Sequence, residues 1–213
     1  MNAGARRSRR ILPSALVLLL LAGCGGLLPK PAERTLYRLT PVFELRQPLP
    51  RVGAQLVVAT PAASAGLDSK RIALSRSPVT IDYFADAEWV DRPPFLVKEA
   101  LVEAFETSRA FSGVASEGSG LNADFVLNTR IREFAAIYDS PNGPPLIRVG
   151  VDGELVTMPG RTIASETTVS REARAAANDL PAIVAAFDRA VGGVIEQLLT
   201  WTVTNPALPG RRR

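Results

Sequence analysis

Alternation of apolar and polar residues predicts most of the strands in this chain. Residues 34–40 alternate as far as Pro41, and residues 54–59 form a short apolar run between Gly53 and Pro61. Alternation is typical of a strand with one buried face, and a short apolar run is typical of a strand buried on both faces. Further strands are predicted at residues 71–75 and 79–84, joined as a hairpin across Ser77-Pro78, and at residues 123–138, 146–158 and 161–172.

The three long strands are predicted to form an antiparallel meander with one polar face that meets water. Their predicted inward-facing residues are apolar or small, whereas the intervening residues of the first of these strands are polar. The inward set is Phe125, Leu127, Thr129, Ile131, Ile147, Val149, Val151 and Leu155, and the outward set is Asn128, Arg130 and Arg132.

Two stretches carry apolar residues every three or four positions, which predicts amphipathic helices. The first covers residues 95–109 behind Pro93-Pro94, and the second covers residues 180–202 behind the predicted N-cap Asp179. Gly192-Gly193 in the second helix allows close approach of the sheet or of a neighbour. The predicted fold class is α+β, a mostly antiparallel sheet with two long amphipathic helices packed on one face.

The N-terminal segment has the layout of a secretory signal peptide. Four arginines within residues 6–10 precede an apolar run at residues 11–21, which is too short for a membrane-spanning helix. The predicted organisation is therefore a signal peptide at residues 1–23, a Pro/Gly tether at 24–33, one α+β domain at 34–203 and a disordered basic tail at 204–213.

The signal ends in Leu21-Ala22-Gly23-Cys24, which resembles the bacterial lipobox. This resemblance implies cleavage between Gly23 and Cys24, acylation of Cys24 and anchoring of the mature chain in a membrane. An ordinary secretory signal with a cysteine near the cut is the alternative. Gly25 stands where enteric bacteria place an Asp for inner-membrane retention, which favours the outer membrane of a Gram-negative bacterium, with the domain facing the periplasm.

Charge and composition restrict the functions open to the mature chain. Four of the 25 basic residues lie in the signal segment, so the remaining 21 are balanced by 21 acidic residues and nothing indicates nucleic-acid binding. The chain has no His and a single Cys. Cys–His catalysis, Ser–His catalysis and His-ligated metal sites are therefore excluded.

Acidic and aromatic residues gather between the predicted hairpin and the first helix. Asp82, Asp86, Glu88 and Asp91 surround Trp89 and could hold a cation or act as a carboxylate pair, but their spacing is not that of an EF-hand loop. An exposed acidic connection is the preferred interpretation, with no metal. Tyr83 and Trp89, with Asp86 and Glu88, are a candidate partner surface. The alternative is that both aromatic rings cap the core.

Residues 71–111 resemble the ABC-type transport auxiliary lipoproteins, including the lipoprotein of the paraquat-inducible system. The most specific part is the run Tyr83-Phe84, Trp89 and Pro93-Pro94; softer matches are Tyr37-Arg38-Leu39, residues 123–127, Arg132-Glu133-Phe134, Ala185-Ala186-Phe187 and Trp201.

The resemblance implies an accessory subunit without enzymatic activity or cofactor. It would work with a periplasmic MCE-domain protein, and through it with an ABC ATPase and a permease that move lipids or other apolar molecules. Whether lipid contacts this subunit, and whether it forms a homo-oligomer, stay open. The alternatives are a stand-alone lipid-binding or envelope-assembly lipoprotein, with an apolar groove between helices and sheet, and an envelope hydrolase with paired acids.

Overall fold

Nine strands and two helices are present in residues 34–43 and 49–209, the part of the chain that the computed structural model describes. The helices are α1 (Pro93–Ser108) and α2 (Leu180–Val203), close to their predicted positions. The strands are β1 (Thr35–Tyr37), β2 (Val52–Val58), β3 (Ala62–Ala63), β4 (Arg71–Ser75), β5 (Asp82–Trp89), β6 (Phe111–Ser116), β7 (Phe125–Ile137), β8 (Leu146–Thr157) and β9 (Thr162–Arg174).

Strand β7 is the centre of the sheet. Along one edge it pairs over its whole length with β8, which in turn pairs with β9. Along the other edge it pairs in series with β2, β3 and β4. Strand β6 lies beyond β2, while β5 and then β1 lie beyond β4. The sheet therefore branches, with one arm at each end of β7.

The α+β class is confirmed, but the prediction of a mostly antiparallel sheet is wrong because the sheet is mixed. Strands β2, β3 and β4 run parallel to β7, β6 runs parallel to β2, and β1 runs parallel to β5. In the part of the chain that the structure describes, antiparallel pairing is confined to β4–β5 and to the β7–β8–β9 meander. Parallel neighbours need a crossover connection, and α1 lies in the long connection that returns the chain from β2 to its parallel neighbour β6.

Two strand boundaries differ from the predictions. Strand β5 covers Asp82–Trp89, so the predicted polar connection at residues 85–92 is largely strand. Strand β6 was not predicted, because Phe111–Ser116 contains two serines and a glycine and lacks a clear apolar repeat.

A β-bulge keeps the apolar side chains of β7 on the core side. Phe125, Leu127 and Ile131 are buried as predicted, and the register with β8 shifts between Ile131 and Glu133. This shift reflects one extra residue in β7. Without it Phe134 would point away from the core, because a shift of one residue moves every later side chain to the opposite face.

The opposite face of the meander, here called the outer face, is polar as predicted. Arg148 on β8 binds Glu172 on β9 at 2.7 Å and lies 3.5 Å from Glu133 on β7. The Arg148 pKa is raised chiefly by its hydrogen bond to Glu172. At the end of the meander, Arg174 donates to Asp139, and this bond lowers the pKa of that carboxyl.

The two helices contact each other on the core side of the sheet. Helix α2 packs on β8 and β9, whereas α1 packs on β6 and β2. Gly153 on β8 lets α2 come close, because a Cβ there would lie 3.1 Å from the Leu198 side chain and 3.5 Å from that of Trp201. Core side chains therefore fill the space between α2 and this part of the sheet.

The C-terminal end remains ordered beyond α2. Asn205 and Leu208 are buried, and the Leu208 N–H donates to the Asn205 carbonyl. The prediction that disorder begins at residue 204 is therefore wrong for residues 204–209. The arginines at 211–213 lie outside the described residues.

The segment that follows β1 is fastened to α2. The Thr40 N–H donates to Asp188 Oδ1 at 2.7 Å, and the Thr40 hydroxyl lies 3.2 Å from Oδ2. One turn further along α2, the backbone of Val42 lies where a Cβ at Gly192 would project. Gly193, by contrast, lies against the flexible side chain of Arg171. The predicted close approach is thus made by the N-terminal segment at Gly192 and by β9 at Gly193.

We expect Gly192→Ala to destabilise the domain although alanine favours helix formation. The new methyl group would collide with the Val42 carbonyl, which is backbone, so the segment at residues 40–43 must shift. Gly193→Ala is the matched control, because the Arg171 side chain can move aside, and it should gain up to about 1 kcal/mol of helix propensity. Thermal unfolding of both variants measures the difference. Equal melting temperatures would contradict the close approach at Gly192.

We also expect Asp188→Asn to stabilise the domain most at neutral pH. Burial raises the pKa of Asp188 despite the hydrogen bonds from Thr40, so ionisation of the folded protein costs stability as pH rises through that pKa. Asparagine keeps the acceptor for the Thr40 N–H without the charge. The gain in melting temperature over wild type should shrink as pH falls towards about 4, near the usual Asp pKa. A gain that grows on acidification would contradict this assignment.

Candidate partner surface on strand β5

The predicted site residues fall into two groups. Gly23 and Cys24, the predicted cleavage and lipidation positions, lie outside the described residues. Tyr83, Asp86 and Trp89 lie on β5 together with Glu88. Only this second group can be placed in the structure.

Trp89 belongs to the core and cannot form part of a surface. Its side chain is 0% exposed and meets the ring of Phe187 edge-on at 5.2 Å and that of Phe134 at 6.0 Å, while those two rings stack at 5.0 Å. The Trp89 Nε1 hydrogen has no partner within the described residues. The assignment of Trp89 to a partner surface is therefore wrong: its indole joins β5 to β7 and α2.

Tyr83 is half-buried at the edge of the β4–β5 pair. Its hydroxyl donates to the Gly66 carbonyl at 3.0 Å, and the Arg71 guanidinium lies 3.8 Å above its ring. This cation–π contact holds both side chains in place with one face towards solvent. Ordered Tyr and Arg side chains are the residue types that most often anchor protein partners.

The register between β4 and β5 shifts between Tyr83 and Glu88. Arg71 pairs with Glu88 and Ala73 pairs with Tyr83, so residues 84–87 oppose a single residue of β4. Asp86 lies in this irregular stretch and is exposed. Such irregularities re-aim side chains, and here a carboxylate is presented at the surface.

Arginines hold Glu88 and Tyr83 near each other. Glu88 forms an ion pair with Arg34, the first described residue of the domain. Arg71 is the cross-strand partner of Glu88 and also covers the Tyr83 ring. The structure thus brings Tyr83 and Glu88 together through Arg71, presents Asp86 beside them, and separates Trp89 from all three.

Exposed apolar side chains on the β4–β5 connection were missed by sequence reasoning. Val79 is 90% exposed and Ile81 is 50% exposed. Both were assigned to a strand because Val-Thr-Ile alternates, yet strand β5 begins only at Asp82. We use the name β5 surface for Val79, Ile81, Tyr83, Asp86 and Glu88. This surface combines apolar, aromatic and acidic groups, which suits docking of another protein.

Two further acidic residues near β5 make ion pairs with arginines. Asp82 lies 3.7 Å from Arg76, and Asp68 lies 3.0 Å from Arg92. Within residues 34–43 and 49–209, no group of three or more Asp, Glu, His or Cys side chains is arranged to hold a metal ion. In the same ranges, no helix is long and apolar enough to cross a membrane.

Comparison with known proteins gives the family. Residues 37–198 match the family of ABC-type transport auxiliary lipoprotein components. The chain belongs to this family. This family consists of auxiliary lipoprotein components of ABC-type transport and is not a family of enzymes.

One curated protein and two solved structures are similar to this chain over most of its length. An uncharacterised protein of Bradyrhizobium diazoefficiens is 30% identical over 175 residues, 81% of this chain and 46% of that protein, so the chain spans about half the length of this curated relative. Protein XCC0632 of Xanthomonas campestris superposes with a TM-score of 0.75 at 25% identity, covering 80% of this chain and 95% of that one. A second solved structure, at 15% identity and a TM-score of 0.56, covers 82% and 97% and shows the same fold.

We expect Trp89→Ala to cost about 3–5 kcal/mol of unfolding free energy, because it leaves a cavity between Phe134 and Phe187. Asp86→Ala, three residues away on the same strand, is the matched control and should change stability by no more than about 0.5 kcal/mol. Urea unfolding of the two variants measures both values. A small loss for Trp89→Ala would contradict its place in the core.

Proposed function

We propose that this auxiliary lipoprotein is anchored in the outer membrane by acylated Cys24 and docks a periplasmic MCE-domain protein of an ABC transport system. The system would move lipids or other apolar molecules across the envelope. The family match over residues 37–198 carries the proposal. The lipobox-like Leu21-Ala22-Gly23-Cys24 supports the anchor, and Gly25 after it favours the outer membrane.

The β5 surface supports docking as the role of the domain. Its side chains are either fixed by neighbours, as Tyr83 is by Arg71 and Gly66, or freely exposed, as Val79 and Asp86 are. A preformed surface costs little conformational entropy when a partner binds. The domain would thus act by holding a partner at the membrane, without chemistry of its own.

We expect mild-detergent purification of the full chain from its own membranes to recover an MCE-domain protein, with the ATPase and permease in smaller amounts. Tyr83→Ala combined with Asp86→Lys should reduce the recovered partner by about tenfold, equivalent to roughly 1.4 kcal/mol. Ser170→Lys, an exposed position on β9, is the matched control and should leave recovery unchanged. Recovery of no transport component with the wild-type chain would overturn the proposal.

Cys24→Ser tests the anchor separately. The variant should leave the membrane fraction, because a chain without acyl groups loses its hydrophobic attachment. Fractionation of wild-type membranes on a density gradient should place the chain with outer-membrane markers. Retention of Cys24→Ser in the membrane fraction would contradict acylation at this residue.

A further inference from the structure

An apolar row interrupts the charged outer face at one end of the sheet. The register places Val57 of β2 beside Val126 of β7, Val126 beside Val156 of β8, and Val156 beside Ile163 of β9. On the far side of Val57 the row continues to Ala115 of β6. Register neighbours lie on the same face, so five strands contribute one continuous line of apolar side chains there.

This row points away from the helices. Leu56, Leu127 and Leu155, the chain neighbours of these valines, are buried in the core. Because successive side chains of a strand point to opposite faces, the valines lie on the outer face. They therefore contribute nothing to the contact between helices and sheet. Their exposure is uneven, because Val156 is only 8% exposed whereas Ile163 at the end of the row is 52% exposed.

A cavity of about 580 Å³ lies over the part of the row formed by Val57 and Val126. Its floor includes Val57 and Val126, and its wall includes Leu121, Met158 and Pro159. The wall is built by the connection between β6 and β7 and by the turn between β8 and β9. Volumes of this size are typical of small-molecule sites, and the lining combines these apolar residues with polar ones such as Asn122 and Asn128.

Backbone hydrogen bonds hold the wall in place. The Asp124 N–H donates to the Gln55 carbonyl, Asp124 Oδ2 accepts from the Gln55 N–H at 2.8 Å, and the Asp124 carbonyl accepts from the Met158 N–H at 2.8 Å. Glu117 accepts from the Thr60 N–H at 3.2 Å. Both carboxylates that line the cavity are thus engaged by backbone donors, which fixes this part of its wall.

The row is one side chain wide. Two residues further along β7 the outer face becomes polar, with Asn128 beside Glu154 and Glu154 beside Glu166. On its other side the row is closed by Leu121 and Met158. Five strands spaced about 4.8 Å apart make the row about 19 Å long.

These dimensions select the occupant. A stable protein interface needs about 800 Å² on each partner, with a broad apolar centre, and a line one side chain wide between charged neighbours does not offer it. A single extended hydrocarbon chain, by contrast, matches both the width and the length of the row. Arg161, on the cavity wall at the β8–β9 turn, supplies a positive charge for an anionic head group.

We propose that this row and its cavity form a slot that binds one fatty acyl chain, with its anionic head group near Arg161. The ligand is either a phospholipid or a free fatty acid, which share this chemistry. The inference goes beyond the docking role, because it assigns direct lipid contact to this subunit. It rests on the proposed function only for the supply of lipid in the envelope.

Photo-crosslinking in cells tests the slot with the full chain. Cells that express it are fed an alkyne-tagged palmitic acid with a photoactivatable group, irradiated, and the tagged peptides are identified by mass spectrometry. We expect light-dependent adducts on peptides covering residues 117–128 and 156–163. The adduct mass distinguishes a free fatty acid from a phospholipid, and either one supports the slot. Label at Cys24 that needs no light would report the anchor instead.

Variants of the slot floor make the test specific. Val126→Glu should lower these adducts by about tenfold or more, because it places a charge where the acyl chain lies. Ser170→Glu, on the outer face away from the row, is the matched control and should leave them unchanged. Val126→Thr keeps the side-chain volume, and should lower the adducts even if Val126→Glu fails to fold.

Two results would overturn the slot. One is an adduct yield that is equal in wild type and Val126→Thr, and the other is label spread evenly over the outer face. Recovery of the MCE-domain protein in the same cells is scored in parallel. If either of these two results is found while that recovery is intact, the slot is ruled out and the docking role stands.

Discussion

The contact of Trp89 with Phe134 and Phe187 is the interaction on which the branched sheet depends. Within the described residues, the arm made of β4, β5 and β1 pairs with β7 only through Leu74 and Ser75. The aromatic cluster adds edge-to-face and stacked contacts between β5, β7 and α2, in which every ring is fully buried or nearly so. Such aromatic contacts stabilise the fold by more than the burial of their surface area alone provides. The β5 surface is therefore positioned by packing more than by strand pairing.

Sequence patterns predicted the elements better than their partners. The helices and the long strands follow from periodicity within one segment, because each buries one face. The direction of a neighbouring strand depends on where the chain returns, and no local pattern in residues 52–58 or 71–75 encodes pairing with β7. Trp89 shows the same limit at the site: four neighbouring acidic residues suggested a surface, whereas two phenylalanines distant in the sequence decide its burial.

The β5 surface and the apolar slot lie near opposite ends of β7. The slot crosses β7 at Val126, and the arm that carries the β5 surface joins at Ala136. Ten strand residues separate these points, a distance of about 33 Å. A partner at the β5 surface would therefore leave the slot uncovered, so docking and lipid contact are compatible on one domain. Between the β5 surface and the slot, ion pairs such as Arg148–Glu172 cross the outer face. These charges make the binding of apolar molecules there unfavourable.

The entry of the chain into the domain has a mechanical consequence. A pulling force applied ahead of Arg34 would first load β1, which is three residues long and pairs with β5 in parallel. A short parallel pair loaded along its length must break its hydrogen bonds together, and the Arg34–Glu88 ion pair shares that load. Once β1 has separated, the contacts of α2 with Thr40 and Val42 would bear the force. A domain held at a moving surface thus has two successive points of resistance before its core is disturbed.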